Sequence, residues 1–192
     1  MAKTESTFIN MLLALFLVAL LSCTALSTVF LLTKDAIAAS KLKQKSVLLK
    51  EVLPAFDNDP VAEKFLVNTP NGEMTFYPAK KNGVLVAAAV ETFSMKGYAG
   101  RIDILAGFLV SGMIYNTVVI SHKETPGLGS KMEASQSSFS TQFKDKDPSI
   151  FRMNVKKDGG DVDAITAATI SSRAYCDALR TAHDAFKTHF LK

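Results

Sequence analysis

The sequence predicts an α+β protein: an N-terminal transmembrane helix, then a small antiparallel-sheet domain flanked by helices. Three observations carry this. No charged residue occurs from Phe8 to Thr33. Apolar runs separated by Asn-Gly, Gly-rich and Ser-Gly turns fill residues 74 to 120. A stretch near the C-terminus repeats apolar residues at helical spacing. The expected divisions are 1–33 for the membrane segment, 34–54 for a helical stalk and 55–192 for the soluble domain. The 192 residues accommodate one domain plus an anchor, not two full domains.

Met11 to Leu32, about 22 residues, makes a helix roughly 33 Å long, enough for a bilayer core of about 30 Å. Asn10, Ser22, Thr24, Ser27 and Thr28 are tolerated there, because small hydroxyls bond back to their own helix. Two processing signals compete with an uncleaved anchor. Leu20-Leu21-Ser22-Cys23 resembles a lipoprotein cleavage box, yet the apolar run continues past it to Leu32. Ala36-Ile37-Ala38 resembles a signal-peptidase site, yet the apolar core before it is longer than a signal peptide's. The uncleaved anchor is the preferred reading. Lys34, Lys41, Lys43 and Lys45 outnumber Lys3 and Glu5 on the other flank. A positive-inside count therefore puts the large domain in the cytoplasm.

Residues 35 to 53 lack Gly and Pro and read as the stalk helix, stopped by Pro54. Residues 56 to 72 read as loops with one short helix. Met74–Lys80 alternates as a strand, and Lys81-Asn82-Gly83 turns the chain. Val84–Phe93 is a continuous apolar run, as in a buried strand. Arg101–Val110 and Met113–Ile120 follow as strands around a Ser111-Gly112 hairpin link. Ser121–Gly129 is turn-rich, Glu133–Phe143 reads as helix, Phe151–Val155 as a strand and Lys156–Asp161 as a turn. Ser171–Phe190 is a helix whose apolar face holds Tyr175, Leu179, Ala182, Phe186 and Phe190.

Composition excludes several classes. The net charge is +4 with no long basic run, so nucleic acid is not an expected partner. His122, His183 and His189 do not fall at metal-ligand spacing, and no metal is expected. Cys23 lies in the apolar segment and Cys176 near the C-terminus, so they are not expected to pair. No nucleophile–base pair or paired carboxylates stand out, and no catalytic side chain is assigned.

The informative stretch is Asp161–Arg173, DVDAITAATISSR. Small residues and hydroxyls crowd the start of the last helix. Such a start offers unpaired N–H groups and partial positive charge, which suit a phosphate without Lys or Arg. Ala167 and Ala168 leave room for a bulky group, Thr169 presents a hydroxyl, and Arg173 is placed to pair with an anion. Local physics alone favours a plainer reading, in which these hydroxyls are ordinary helix caps.

Asp163-Ala164-Ile165-Thr166-Ala167-Ala168-Thr169-Ile170-Ser171-Ser172 resembles the flavinylation motif of FMN-binding domains. These occur in the G subunit of the Rnf electron-transport complex and the C subunit of the Na⁺-pumping NADH:quinone reductase. Glu124-Thr125-Pro126-Gly127-Leu128-Gly129 resembles a second family segment, upstream of the first. Length and the Ile170-Ser171-Ser172-Arg173 ending favour the Rnf type. The family usually has Gly where this chain has Ala167. If that position needs positive φ, Ala there costs about 1 kcal/mol.

The resemblance implies FMN joined through its phosphate to Thr169 by a flavin transferase. Thr166, Ala167, Ala168, Ile170 and Ser171 would surround the attachment point. Glu124, Thr125, Gly127, Leu128 and Gly129 would approach the ring. It also implies a redox relay in an ion-translocating complex, with integral membrane subunits as partners and membrane lipid around the anchor. The domain would then lie on the extracytoplasmic side of the inner membrane, against the lysine count. The alternatives are a membrane-tethered flavin reductase and an anchored binding module that never receives FMN.

Overall fold

The structure, a computed structural model, describes residues 7–69 and 72–191. Lys3 and Glu5 of the charge count lie outside the described residues. The chain divides into two compact units, the first ending at Lys45 and the second starting at Ser46.

Phe8–Val52 form one α-helix of 45 residues, α1. The expected membrane helix and stalk are therefore continuous. No Gly or Pro falls within this range, and Pro54 stops the helix just beyond it. Thr28 and Thr33 donate to the carbonyls of Thr24 and Val29, each at 2.8 Å. Their polarity is thereby absorbed within the helix. The large apolar side chains from Phe8 to Leu32 are exposed, and α1 is long and apolar enough to cross a membrane.

The second unit holds a five-stranded antiparallel meander. Its strands are β1 (Phe65–Thr69), β2 (Gly72–Lys81), β3 (Val84–Gly97), β4 (Gly100–Leu109) and β5 (Ile114–His122). Asn82 (φ 52°) and Gly83 (φ 77°) make the β2–β3 turn. Two successive left-handed residues match the twist of a tight hairpin. The helix α2 (Thr169–Phe190) packs its predicted face on one side of the sheet. Tyr175, Leu179, Ala182 and Phe186 are buried there against Ala88, Val90, Ile104 and Phe108. Each such large side chain contributes about 1.5–3 kcal/mol of burial.

Leu49, Val52 and Leu53 cover the other side, against Tyr77, Ala79, Ala87, Ala89 and Leu105. Successive β3 residues thus face two different cores, which explains the unbroken apolar run. The approach is close: a Cβ on Gly107 would overlap the Val52 carbonyl oxygen.

Four expectations need correction. Residues 56 to 72 are not only loops with a short helix, for they contain β1. No helix forms between Phe56 and Thr69, where Asp59 accepts from the Val61 N–H and caps a turn. β1 is a short edge strand held by Phe65 stacking on Phe76 at 5.4 Å, a contact that local periodicity does not encode. Glu133–Phe143 is not an α-helix but a run of turns ending in a 3-10 turn, Ser140–Phe143. Its serines bond locally: Ser137 donates to the Lys131 carbonyl at 2.6 Å and accepts from the Phe139 N–H. Phe151–Val155 forms no strand beyond one bridge, Val155 to Val162. There Asp161 accepts from the Arg152 N–H and closes a local loop instead. Finally, α2 begins at Thr169, two residues earlier than expected.

Candidate functional site

Two segments far apart in sequence meet at the N-terminus of α2. The first leaves β5 at His122. The His122 Nδ1 accepts the Glu124 N–H at 3.1 Å, so Nε2 carries the ring proton and faces Glu133 Oε1 at 2.9 Å. This contact holds the Glu133 carboxyl below the usual carboxylate range. The Thr125 carbonyl then accepts from the Leu128 and Ser130 N–H groups. Gly127 (φ 75°) allows the turn, and its N–H donates to Ser130 Oγ at 2.9 Å.

The second segment runs into α2. Ala168 N–H donates to the Ile165 carbonyl at 3.0 Å, closing a turn with Ala167 at φ 61°. Positive φ is therefore required at Ala167, the position where the family usually has Gly. Ser172 Oγ accepts from the Ile165 N–H and donates to the Ala168 carbonyl. The N-cap of α2 is Ala168, so no side chain caps the helix. The first N–H groups of a helix have no partner within it. Here they start beside a cleft.

Glu124 joins the two segments. It is 5% exposed. Its Oε2 accepts from Ser171 Oγ at 2.6 Å, and its Oε1 accepts from the Ala99 N–H at 3.0 Å. Gly129 fits because it has no Cβ. One there would stand 2.7 Å from Glu124 Oε2 and from Ser171 Oγ.

The resulting cleft encloses about 620 Å³. Such a volume falls in the range of cofactor sites, about 300–1,000 Å³. Glu124, Thr125, Leu128, Gly129, Ala167, Ala168, Thr169, Ile170 and Ser171 line it, as the sequence motifs group them. Gly127 and Thr166 do not. Gly127 supports the turn beneath, and Thr166 borders a separate groove with Lys131, Gln142 and Asp163. Leu128 and Ile170 remain 42% and 47% exposed and give the cleft an apolar lining.

Tyr98 also lines the cleft, and sequence reasoning does not find it. It sits at the tip of the β3–β4 hairpin, 72% exposed. The available signal is an aromatic residue between Gly97 and Gly100, at a turn where burial cannot explain it. Arg173, expected as an anion partner, does not line the cleft. It binds Asp158 through Nε and Nη2, each at 2.7 Å.

Residues 97–184 match the FMN-binding domain family, and this range contains every residue lining the cleft. Relatives extend over more of the chain. The G subunit of the ion-translocating oxidoreductase complex of Pasteurella multocida is 39% identical over 178 residues, covering 86% of this chain and 87% of its own. The G subunit of Vibrio vulnificus is 38% identical over 167 residues, covering 82% and 79%. That of Escherichia coli K12 is 39% identical over 159 residues, covering 79% and 77%.

This chain belongs to the G-subunit family of ion-translocating oxidoreductase complexes. The matches span more than the FMN-binding domain. Within that domain the cleft occupies the α2 end, where the β3–β4 hairpin, the Thr125–Gly129 loop and the helix start converge.

Proposed function

We propose that this chain is the membrane-anchored electron-transfer subunit of an Rnf-type ion-translocating oxidoreductase complex, with FMN joined through its phosphate to Thr169. One observation carries the reading: Thr169 opens an uncapped helix inside a cleft of about 620 Å³.

The neighbouring hydroxyls narrow the choice. Ser171 donates to Glu124, and Ser172 donates to the Ala168 carbonyl. Thr166 borders the other groove. Thr169 is half-buried and lines the cleft. Attachment would form a bond from Thr169 Oγ1 to phosphorus. A flavin transferase would take up the hydroxyl proton as its donor's leaving group departs. The esterified phosphate keeps one negative charge, which the α2 start would stabilise by about 0.3–1 kcal/mol. No lining residue is basic, so the helix itself would supply this charge complement.

Leu128, Ile170 and Tyr98 fit a flat ring system, since covering them would remove exposed apolar surface. Gly129 keeps the cleft floor low. Bound FMN would supply one- and two-electron transfer; the chain orients it, excludes water and fixes its surroundings. Covalent attachment suits a relay, because a carrier that dissociates would interrupt electron flow.

The anchor reading rests on α1, and membership of a complex on the relatives' names. The partners would be integral membrane subunits, with lipid around α1. The soluble domain would lie on the extracytoplasmic side of the inner membrane. The decisive experiment is intact mass of the full chain, produced together with a flavin transferase. A gain of one FMN phosphoester is expected; an unmodified mass would overturn the attachment.

A further inference from the structure

We propose that Glu124 is the positioning residue of this cleft, a buried carboxylate that locks its three walls together and places a negative charge beside the flavin. The proposal rests on the flavin reading above and adds a role that reading does not contain. The family resemblance puts Glu124 among the groups touching the ring. The geometry adds that its carboxyl oxygens face Ala99 and Ser171.

Both carboxyl oxygens are engaged inside the protein. Oε1 accepts from Ala99, at the tip carrying Tyr98, and Oε2 accepts from Ser171, in the first turn of α2. Accepting at both oxygens is the pattern of an ionised carboxyl. The backbone of Glu124 is itself held by His122. Glycines on two sides keep the pocket tight around it. A Cβ on Gly97 would stand 2.7 Å from Oε1, and one on Gly129 would stand 2.7 Å from Oε2. One side chain thus ties the β3–β4 hairpin, the Thr125–Gly129 loop and the α2 start. Ser171 is two residues beyond Thr169, so the strut also fixes the helix turn that presents the attachment hydroxyl.

The charge has a second consequence. No basic residue lines the cleft to offset it. Reduction adds electron density to whatever redox group the cleft holds. A carboxylate in the wall opposes that change, so Glu124 lowers the midpoint potential of the bound flavin. A merely structural strut would leave the potential unmoved after an isosteric, uncharged replacement.

The test uses the full chain in detergent, made alongside a flavin transferase, as wild type, Glu124→Gln and Glu124→Ala. Intact mass reports the adduct. Reductive titration with dithionite as electron donor reports the midpoint potential. Amide hydrogen exchange at Ala99 reports the strut, with or without flavin. Glu124→Gln should keep the adduct and titrate at a higher potential. Glu124→Ala should exchange Ala99 at least tenfold faster and carry several-fold less adduct. An unchanged potential in flavin-loaded Glu124→Gln would overturn the charge role, and unchanged Ala99 exchange in Glu124→Ala would overturn the positioning role. A wild type without covalent flavin would sink the attachment reading instead, and Ala99 exchange would still judge the strut.

Discussion

Arg173 grips Asp158 with two hydrogen bonds of 2.7 Å, across fifteen residues of chain. The arginine nearest the start of α2 is thereby held away from the cleft. Arg173→Ala should therefore leave covalent flavin on the chain, as in-gel fluorescence would report. Its effect should be on acid stability. Arg173 holds the Asp158 carboxyl below the usual carboxylate range. A depressed folded value stabilises above the ordinary carboxylate pKa and is lost as pH falls through the folded one. Acid unfolding of Arg173→Ala should begin at higher pH than in wild type, followed by far-UV circular dichroism.

Thr169→Ala should abolish the flavin adduct while keeping the fold. Thr169 caps no helix, since the N-cap is Ala168. Thr169→Ser keeps the hydroxyl and should retain some adduct. Intact mass separates the three proteins. An adduct on Thr169→Ala would move the attachment to another residue.

Ala167 adopts φ 61°, a left-handed conformation that a Cβ disfavours by about 1–2 kcal/mol. Ala167→Gly should stabilise the domain by about 1 kcal/mol, after the entropy that glycine loses on folding. Ala167→Val should destabilise it by more, because a β-branched side chain suffers most there. Urea unfolding at pH 7 measures both.

Gly127 and Gly129 should respond differently to alanine. At Gly127 (φ 75°) no atom obstructs a Cβ, so the cost is backbone strain of about 1 kcal/mol. At Gly129 the Cβ would press on Glu124 and Ser171. That overpacking should cost about 1–3 kcal/mol and loosen the cleft. Thermal unfolding of the two variants should rank them, with Gly129→Ala melting lower.

Burial pushes the Cys176 thiol up to about 12 from an ordinary value of 9.0. A raised folded pKa means the stabilisation is complete below the unfolded value and declines as pH climbs towards the folded one. Between about pH 9 and 12 the wild type should lose up to about 1.4 kcal/mol per pH unit from this group. Cys176→Ala should lack that component, so the difference between their urea midpoints should narrow or reverse as pH rises from about 8 to 10.

Much of this protein follows from local rules written in the chain. The uncharged run ahead of Lys34 needs only bilayer thickness to be read as a possible span. The Asn82-Gly83 turn and the repeat from Tyr175 to Phe190 need only backbone sterics and helical period. The grouping of Thr125–Gly129 with Ala167–Ser171 comes from family motifs, because no local rule joins segments so far apart.

Other features depend on neighbours that arrive only when the chain folds. β1 exists because Phe65 finds Phe76 and the end of α2. The serine-rich stretch after Glu133 turns instead of coiling because Phe139 and Phe143 pack on Tyr175. Arg173 looks free in the sequence, and the fold gives it Asp158. Glu124 belongs to a cleft motif in the sequence, and the fold adds its hydrogen bonds to Ala99 and Ser171. Period and turn chemistry act within a few residues and can be read in order along the chain. Charge pairing and burial depend on distances in space, and only the tertiary structure sets those.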